Sequence, residues 1–314
     1  MLAVAFLAFA MFDYVGDPVA IMAGQDMPAD QRAQLRHDLG LDDPVPVRFA
    51  RYVTDAVHGR FGLSYRTTQP VGGMILERLP ATIELSLMAA LMALLVGIPA
   101  GVLSGLHPRH WASRLMLAVS LIGVSLPTFL IGILLILVFS VMLGWLPSFG
   151  RGDVVRLGWW TTGLLTASGW RAILMPAFTL GLFQTTLIMR LVRSEMLEVL
   201  RTDYIKFARA RGLTDRAVNF GHALKNTLVP VITITGLQLG SIIAFAIITE
   251  TVFSWPGMGQ LFIQSVQVAD IPVMASYLVL IGLFFVLINL AVDLLYFTVD
   301  PRLRARETAG SAAT

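Results

Sequence analysis

The sequence LSLMAALMALLVGIPAGVLSGL, residues 85–106, contains no charged side chain in 22 consecutive positions. A helix needs about 20 apolar residues to cross a hydrocarbon core of about 30 Å, because each residue adds about 1.5 Å. This run therefore predicts a membrane-spanning helix. Three further uncharged runs are long enough for the same prediction, at residues 115 to about 143, 226–249 and 271–292.

Two weaker runs complete the set. Residues 172–189 contain Pro176 and Gly181, which a span tolerates where partner helices cover the disturbed backbone. Residues 2–12 are apolar but too short to cross, so we expect the natural first helix to be longer. The sequence thus predicts an all-α, polytopic helix bundle with about six transmembrane helices, the first of them truncated here.

Composition supports a membrane protein. Hydrophobic residues make up 56% of the 314 residues and charged residues only 14%, whereas soluble domains carry about a quarter charged residues. Basic residues cluster near the ends of apolar runs, which indicates membrane topology and a lipid environment, with no nucleic-acid partner. The absence of Cys excludes a disulfide framework, thiolate metal ligands and Cys nucleophiles.

The basic residues also predict the orientation. Eight of them lie in residues 190–228, and loops rich in Arg and Lys stay in the cytoplasm. We therefore expect a truncated first helix (1–12), an extracytoplasmic segment (13–80), a membrane core (81–300) with a cytoplasmic loop (190–228), and a cytoplasmic tail (301–314) that is disordered from Glu307. Thirteen of the 23 basic residues are then cytoplasmic.

Motifs for chemistry are scarce. The chain has no G-x-x-x-x-G-K-[ST] phosphate loop, no H-E-x-x-H and no G-x-S-x-G, so we expect no catalytic residue, cofactor or metal site. Three carboxylates lie in or beside apolar runs: Glu84, Glu250 and Asp293. Such groups are costly in hydrocarbon. Each either lines a translocation path or gate, or is a structural partner for a polar group near a helix end.

The stretch DYIKFARARGLTDRAVNFGHALK, residues 203–225, is the most informative cytoplasmic segment. Small residues at Ala208, Ala210 and Gly212 would let a helix lie close against another protein. Arg209, Arg211 and Arg216 would pair with acidic groups there. The alternative is a solvated basic loop with no partner.

This segment resembles the permease signature of ABC importers, E-A-A-x(3)-G-x(9)-I-x-L-P. Aligned on Gly212, the match is partial, because Lys206, Phe207 and Lys225 replace the Glu, the first Ala and the final Pro. The form D-Y-[IV]-x-x-A-R-A-[KR]-G-L, followed by H-A-L-[KR]-N-x(3)-P, fits better and is that of the dipeptide, oligopeptide and nickel permeases. It matches at residues 203–213, 222–226 and at Pro230.

Other matches to that family extend over most of the chain, including GDP (16–18), LPAT (79–82), GIPAG (97–101), RSEMLEVL (193–200), TETVFSWPGMG (249–259) and NLAVDLLY (289–296) with DPRLR (300–304). One departure is Arg60, which stands where the family motif H-G-D-[LF]-G has Asp.

The resemblance implies a type I ABC importer permease in the bacterial inner membrane. Its expected partners are a second permease, two cytoplasmic ATPases that hydrolyse the ATP, and an extracytoplasmic solute-binding protein. It implies a solute such as a dipeptide, an oligopeptide, glutathione or a nickel complex. The expected ATPase-docking residues are Tyr204, Ala208, Arg209, Ala210, Arg211, Gly212, Leu213, His222 and Asn226. The expected path or gate residues are Glu84, Glu250, Phe253 and Trp255. A secondary transporter, with its carboxylates coupled to ions, is the competing class.

Overall fold

The computed structural model describes residues 1–14, 19, 28–38 and 41–299. The expected tail (301–314) and the matches at 16–18 and 300–304 lie outside these residues. The helices before the first long span are α1 (Leu2–Tyr14), α2 (Ala29–Asp38) and α3 (Val45–Val57).

The central part of the chain contains α4 (Val71–Leu106), α5 (Trp111–Ser125), α6 (Thr128–Leu135) with a π-helical continuation (Ile136–Met142), the antiparallel strands β1 (Val155–Leu157) and β2 (Trp160–Thr162), and α7 (Ala167–Val199). The remainder contains α8 (Asp203–Ala210), a π-helical turn (Ala217–Ala223), α9 (Leu224–Val252), α10 (Met258–Gln267) and α11 (Ile271–Val299).

Three helices of the described residues are long and apolar enough to cross a membrane: α4, α7 and the Ile271–Val292 part of α11. Two bent pairs raise the number to five if each is one crossing. The run at 115–143, expected as one span, is one of these pairs. Its two halves meet at 110° around Pro127, whose ring cannot continue the preceding helix. The run at 226–249 lies in α9, which bends by 47°.

Two helices continue past the expected boundaries, which stay predictions because a helix can extend beyond the membrane. The membrane core was expected to begin at residue 81, but α4 begins at Val71. The cytoplasmic loop was expected to begin at residue 190, but α7 continues through Arg190 and Arg193 to Val199.

Close packing of α4 against α7 forms the centre of the bundle. A Cβ added at Gly101 would lie 2.6 Å from Cβ of Val192, and one at Gly105 would lie 2.8 Å from Cβ of Met196. Small residues let helix backbones approach closely in membranes, where burial of apolar surface does not favour association. The seam therefore depends on glycine at these positions.

The chain before α4 is tied to the turn before α11. The buried carboxylate of Asp270 accepts hydrogen bonds from Oγ of Ser64, at 2.5 Å, and from the backbone N of Tyr65, at 3.1 Å. This contact fixes the loop that leads into α4.

Candidate functional site

Glu250 lies near the end of α9 and is fully buried, with 0% of its surface exposed. Oε1 accepts a hydrogen bond from Oγ1 of Thr82 at 2.6 Å, and Oε2 accepts one from the backbone N of Gln260 at 3.0 Å. Oγ1 of Thr82 also accepts from the backbone N of Met258 at 2.8 Å. The carboxylate thus joins α4, the end of α9 and the start of α10.

The turn between α9 and α10 closes over this carboxylate. Ser254 has a φ of +45°, in the left-handed region that few residues other than Gly adopt. A Cβ at Gly257 would lie 2.2 Å from Oε1 of Glu250, so only glycine fits there. The indole N–H of Trp255 donates to the carbonyl of Ala81 at 2.9 Å, which fixes the turn against α4.

Glu84 lies in α4 about half a helical turn after Thr82, and it forms a buried ion pair. Oε2 accepts from Nη2 of Arg151 at 2.5 Å, and both side chains are about 95% buried. Arg151 also donates to the carbonyl of Thr161, at 2.6 Å, and to its hydroxyl, at 3.0 Å. The indole N–H of Trp160 reaches Oε1 of Glu84 at 3.3 Å. The pair therefore fastens the β1–β2 hairpin to α4.

Trp255 connects the two groups, because Cζ of Arg151 lies 6.0 Å from the centroid of its ring, within cation–π range. We call Thr82, Glu84, Arg151, Glu250 and Trp255 the buried polar cluster. The structure brings together three of the four expected path residues here, and the fourth, Phe253, is buried beside Gly132 of α6. The role of these residues in a translocation path stays a prediction. The side chain of Asp293 is not among the side chains that the structure describes.

The 203–226 segment has a different character. Asp203 lies in the first turn of α8 and Arg209 in the last, which complements the helix dipole. Gly212 ends the helix with a φ of +77°. The amide of Asn226 donates to the hydroxyl of Tyr204 at 2.6 Å and ties the start of the segment to its end.

Most of the expected docking residues in this segment are exposed: Tyr204, Arg209, Ala210, Arg211, Gly212, Leu213, His222 and Asn226. Ala208 differs from the expectation. It is 7% exposed and packs with Ile205 and Val218 against α4 and α7. Its small side chain packs within the chain, and a contact of Ala208 with an ATPase subunit stays a prediction.

The sequence interpretation missed two features. Arg151 was not singled out, because a lone Arg between two glycines in a connecting segment gives no sequence signal for a buried partner. Phe207 and Phe220 are 64% and 50% exposed in the 203–226 segment, beside its basic residues. The guanidinium of Arg211 lies 5.9 Å from the ring centroid of Phe207. Among the described residues, no group of three or more His, Asp or Glu side chains is placed to hold a metal ion.

Comparison with known proteins identifies the family. Residues 97–305 match the binding-protein-dependent transport system inner membrane component, and residues 1–86 match the N-terminal membrane component of such systems. The chain belongs to the binding-protein-dependent transport system inner membrane component family. This multi-pass membrane family confirms the expected ABC importer permease and gives no support to a secondary transporter.

Similar proteins in this family include the dipeptide transport system permease protein DppB of Alkalihalophilus pseudofirmus, 39% identical over 92% of this chain and 90% of that protein. The glutathione transport system permease protein GsiC of Escherichia coli is 37% identical over 92% of this chain and 89% of that protein. The GsiC of Salmonella paratyphi A is 36% identical over 97% and 94%.

A solved structure of the MetNI methionine ABC transporter, inward facing in the CY5 native crystal form, superposes with a TM-score of 0.58. The match covers 72% of this chain and 96% of that chain, at 21% identity. It concerns the fold alone and confirms the polytopic helix bundle of the type I ABC importer permease kind.

Proposed function

We propose that this chain is one permease of an ATP-driven importer in the bacterial inner membrane, and that its solutes are short peptides such as dipeptides or glutathione. The observation that carries the proposal is the 36–39% identity, over more than nine-tenths of the chain, to permeases named for dipeptide and glutathione transport. Those two solutes share a peptide amide and a free carboxylate, which defines the expected class.

The chain would form half of the translocation path with a second, homologous permease. Two ATPase subunits would bind it on the cytoplasmic side, and a solute-binding protein would deliver solute from outside. ATP hydrolysis belongs to the ATPases in this proposal. Motion of the ATPases would reach the helices through the 203–226 segment, since a docked element on a bistable bundle suffices for such transmission.

The exposed aromatic and basic side chains of this segment support the docking role. Phe207 and Leu213 expose apolar surface that water solvates poorly, and Arg209 and Arg211 carry positive charge beside it. Aromatic and Arg side chains are enriched where binding energy concentrates in protein interfaces. The surface therefore suits an ATPase groove with an apolar floor and acidic rim.

The orientation can be tested with single Cys residues, because the chain has none of its own. Arg201 and Arg66 are both exposed, on opposite sides in the proposed topology. An impermeant thiol reagent applied to intact spheroplasts should label Arg66→Cys and leave Arg201→Cys unlabelled. Labelling of Arg201→Cys alone would show that the orientation in the membrane is the opposite of the proposed one.

The function is tested by deleting this chain and measuring uptake of defined peptides, free amino acids and glutathione. Loss of peptide uptake, restored by the chain on a plasmid, is the expected result. In the strain that carries the chain on a plasmid, the chain is expected to copurify with an ATPase subunit. Normal uptake of every peptide in the deletion strain, in the absence of another peptide importer, would refute the proposed solute class.

A further inference from the structure

A cavity of about 230 Å³ lies between α6, α7 and α9, near the midpoint of α7. Thr128 and Gln184 contribute its polar groups. Its apolar wall consists of Leu180, Phe183, Ile242, Phe245 and Ile248. A pocket that encloses a whole drug-sized ligand measures about 300–1,000 Å³. This cavity would therefore hold one part of a peptide, such as a side chain with its adjoining amide.

The amide of Gln184 is only half satisfied. The side chain is 5% exposed, and its Nε2 donates to the backbone carbonyl oxygen of Gln238 at 3.4 Å. Because that carbonyl can only accept, the other amide atom is the oxygen. In the part of the chain that the structure describes, this Oε1 has no hydrogen-bond partner. A buried acceptor without a donor is unfavourable, so a water molecule or a solute group that enters the cavity can supply the donor.

The bend in α9 lies beside this amide. The axis turns by 47° between Pro230–Gly236 and Gly240–Val252, and Gln238 lies between the two halves. A Cβ at Gly236 would meet Val292 of α11 at 2.4 Å, so close packing holds the bend. Disturbed helices at membrane depth are found where they are buried in protein or line a wet cavity.

We propose that this cavity is a solute contact in the translocation path, where Oε1 of Gln184 accepts a hydrogen bond from a peptide N–H of the solute. The apolar wall contacts the adjoining side chain. The inference rests on the proposed function and adds the chemistry that is recognised, a secondary amide next to an apolar group. A lipid acyl chain has no donor and would leave Oε1 unpaired.

The test measures uptake by the complete importer in proteoliposomes, with saturating binding protein. Two probes are compared, the dipeptide alanyl-leucine and its analogue methylated at the peptide nitrogen, which lacks the donor. The binding protein contributes the same preference in every reaction, so a change in the uptake ratio between variants reports on the permease. Gln184→Leu should lower the ratio roughly fivefold, the value of one net hydrogen bond. Gln184→Met, of similar length without an acceptor, should do the same.

The matched control is Thr185→Val, at the next position of α7. The hydroxyl of Thr185 donates within its own helix, to the carbonyl of Gly181 at 2.8 Å, so its loss should leave the ratio unchanged. An unchanged ratio in both Gln184 variants would overturn the inference while the proposed function stands. Equal loss of both probes, in proportion to assembled complex, would overturn it too and place Gln184 at a subunit contact. A wild-type importer that carries neither probe would overturn both proposals.

Discussion

The buried polar cluster and the 203–226 segment both contain charged and aromatic side chains, and they use them in opposite ways. In the cluster, Glu84 and Glu250 are buried and accept hydrogen bonds from within the chain. In the segment, Phe207 and Arg211 lie on the surface. The first region makes most of its polar contacts within the chain, although Nε of Arg151 has no hydrogen-bond partner among the described residues. The second presents groups that another protein would contact.

The first region stabilises the fold of the chain, and the second is available to bind a partner subunit. A buried charge is tolerated only with a partner and hydrogen bonds, so the cluster holds a defined arrangement of α4, the hairpin and the α9–α10 turn. An exposed aromatic surface adds little to the stability of the chain that carries it. Substitutions should therefore lower stability in the cluster, and should lower coupling, with stability unchanged, in the segment.

The largest effect is expected for Arg151→Met, which leaves Glu84 buried without its cation. Removing one partner of a buried pair costs about 3–5 kcal/mol, so the thermal midpoint in detergent and the amount of folded protein should fall sharply. The double variant Glu84→Gln with Arg151→Met should recover much of the loss. Arg156→Met, an exposed Arg in the same hairpin, is the control. If Arg151→Met and the control had similar stability, the proposed structural role of the buried polar cluster would be wrong.

Glu250→Gln should have the next largest effect. Its amide retains one acceptor, so one of the donors on Thr82 and Gln260 loses its partner, at a cost of about 1–3 kcal/mol. Uptake should fall equally for charged and neutral solutes, in proportion to assembled complex. A path-lining carboxylate would instead reduce uptake most for solutes with a free amino group, with abundance unchanged. Glu77→Gln, exposed on α4, is the matched control.

Much of this fold followed from the sequence because long apolar runs have few alternatives in a membrane. The seam of α4 and α7, by contrast, depends on which face carries Gly101 and Gly105, and hydropathy alone does not show which helices meet. The break at Pro127 was hidden inside an uninterrupted apolar run.

The site divides in the same way. Glu84 and Glu250 were singled out because charge is rare in spans, but their partners are distant in sequence: Arg151 is 67 positions from Glu84. Ala208 and Gly212 fit one motif, yet the structure gives them different tasks. Ala208 packs inwards, and Gly212 supplies a backbone conformation. A residue pattern does not reveal the direction of a side chain.

The double variant Phe207→Ser with Phe220→Ser should keep its stability and lose coupling to the ATPase, in contrast to Arg151→Met. Exposed substitutions usually change stability by less than about 0.5 kcal/mol, so the thermal midpoint should stay near the wild-type value. Copurification with the ATPase, and peptide uptake per ATP hydrolysed, should each fall at least several-fold, as for interface residues that contribute more than about 1 kcal/mol. Val57→Ser, an exposed apolar position outside the segment, is the control. Full coupling in the double variant would exclude docking through these rings.

The smallest effect is expected at Gly212. In the described part of the chain, a Cβ there would meet nothing within 4 Å, so any loss comes from the φ of +77°. Gly212→Ala should weaken the segment by about 1 kcal/mol, and Gly212→Asn by less, because Asn tolerates this conformation. ATPase affinity should follow the same order. Equal affinity of both variants would show that the backbone conformation here is unimportant.

The length of α4 gives its glycine seam a mechanical consequence. Its 36 residues form a rod of about 54 Å, with Thr82 and Glu84 towards one end and Gly105 towards the other. A residue with a Cβ at the position of Gly101 or Gly105 would lie 2.6–2.8 Å from Cβ of Val192 or Met196. The close packing therefore opposes sliding of α4 along α7 and favours movement of the two helices as one unit.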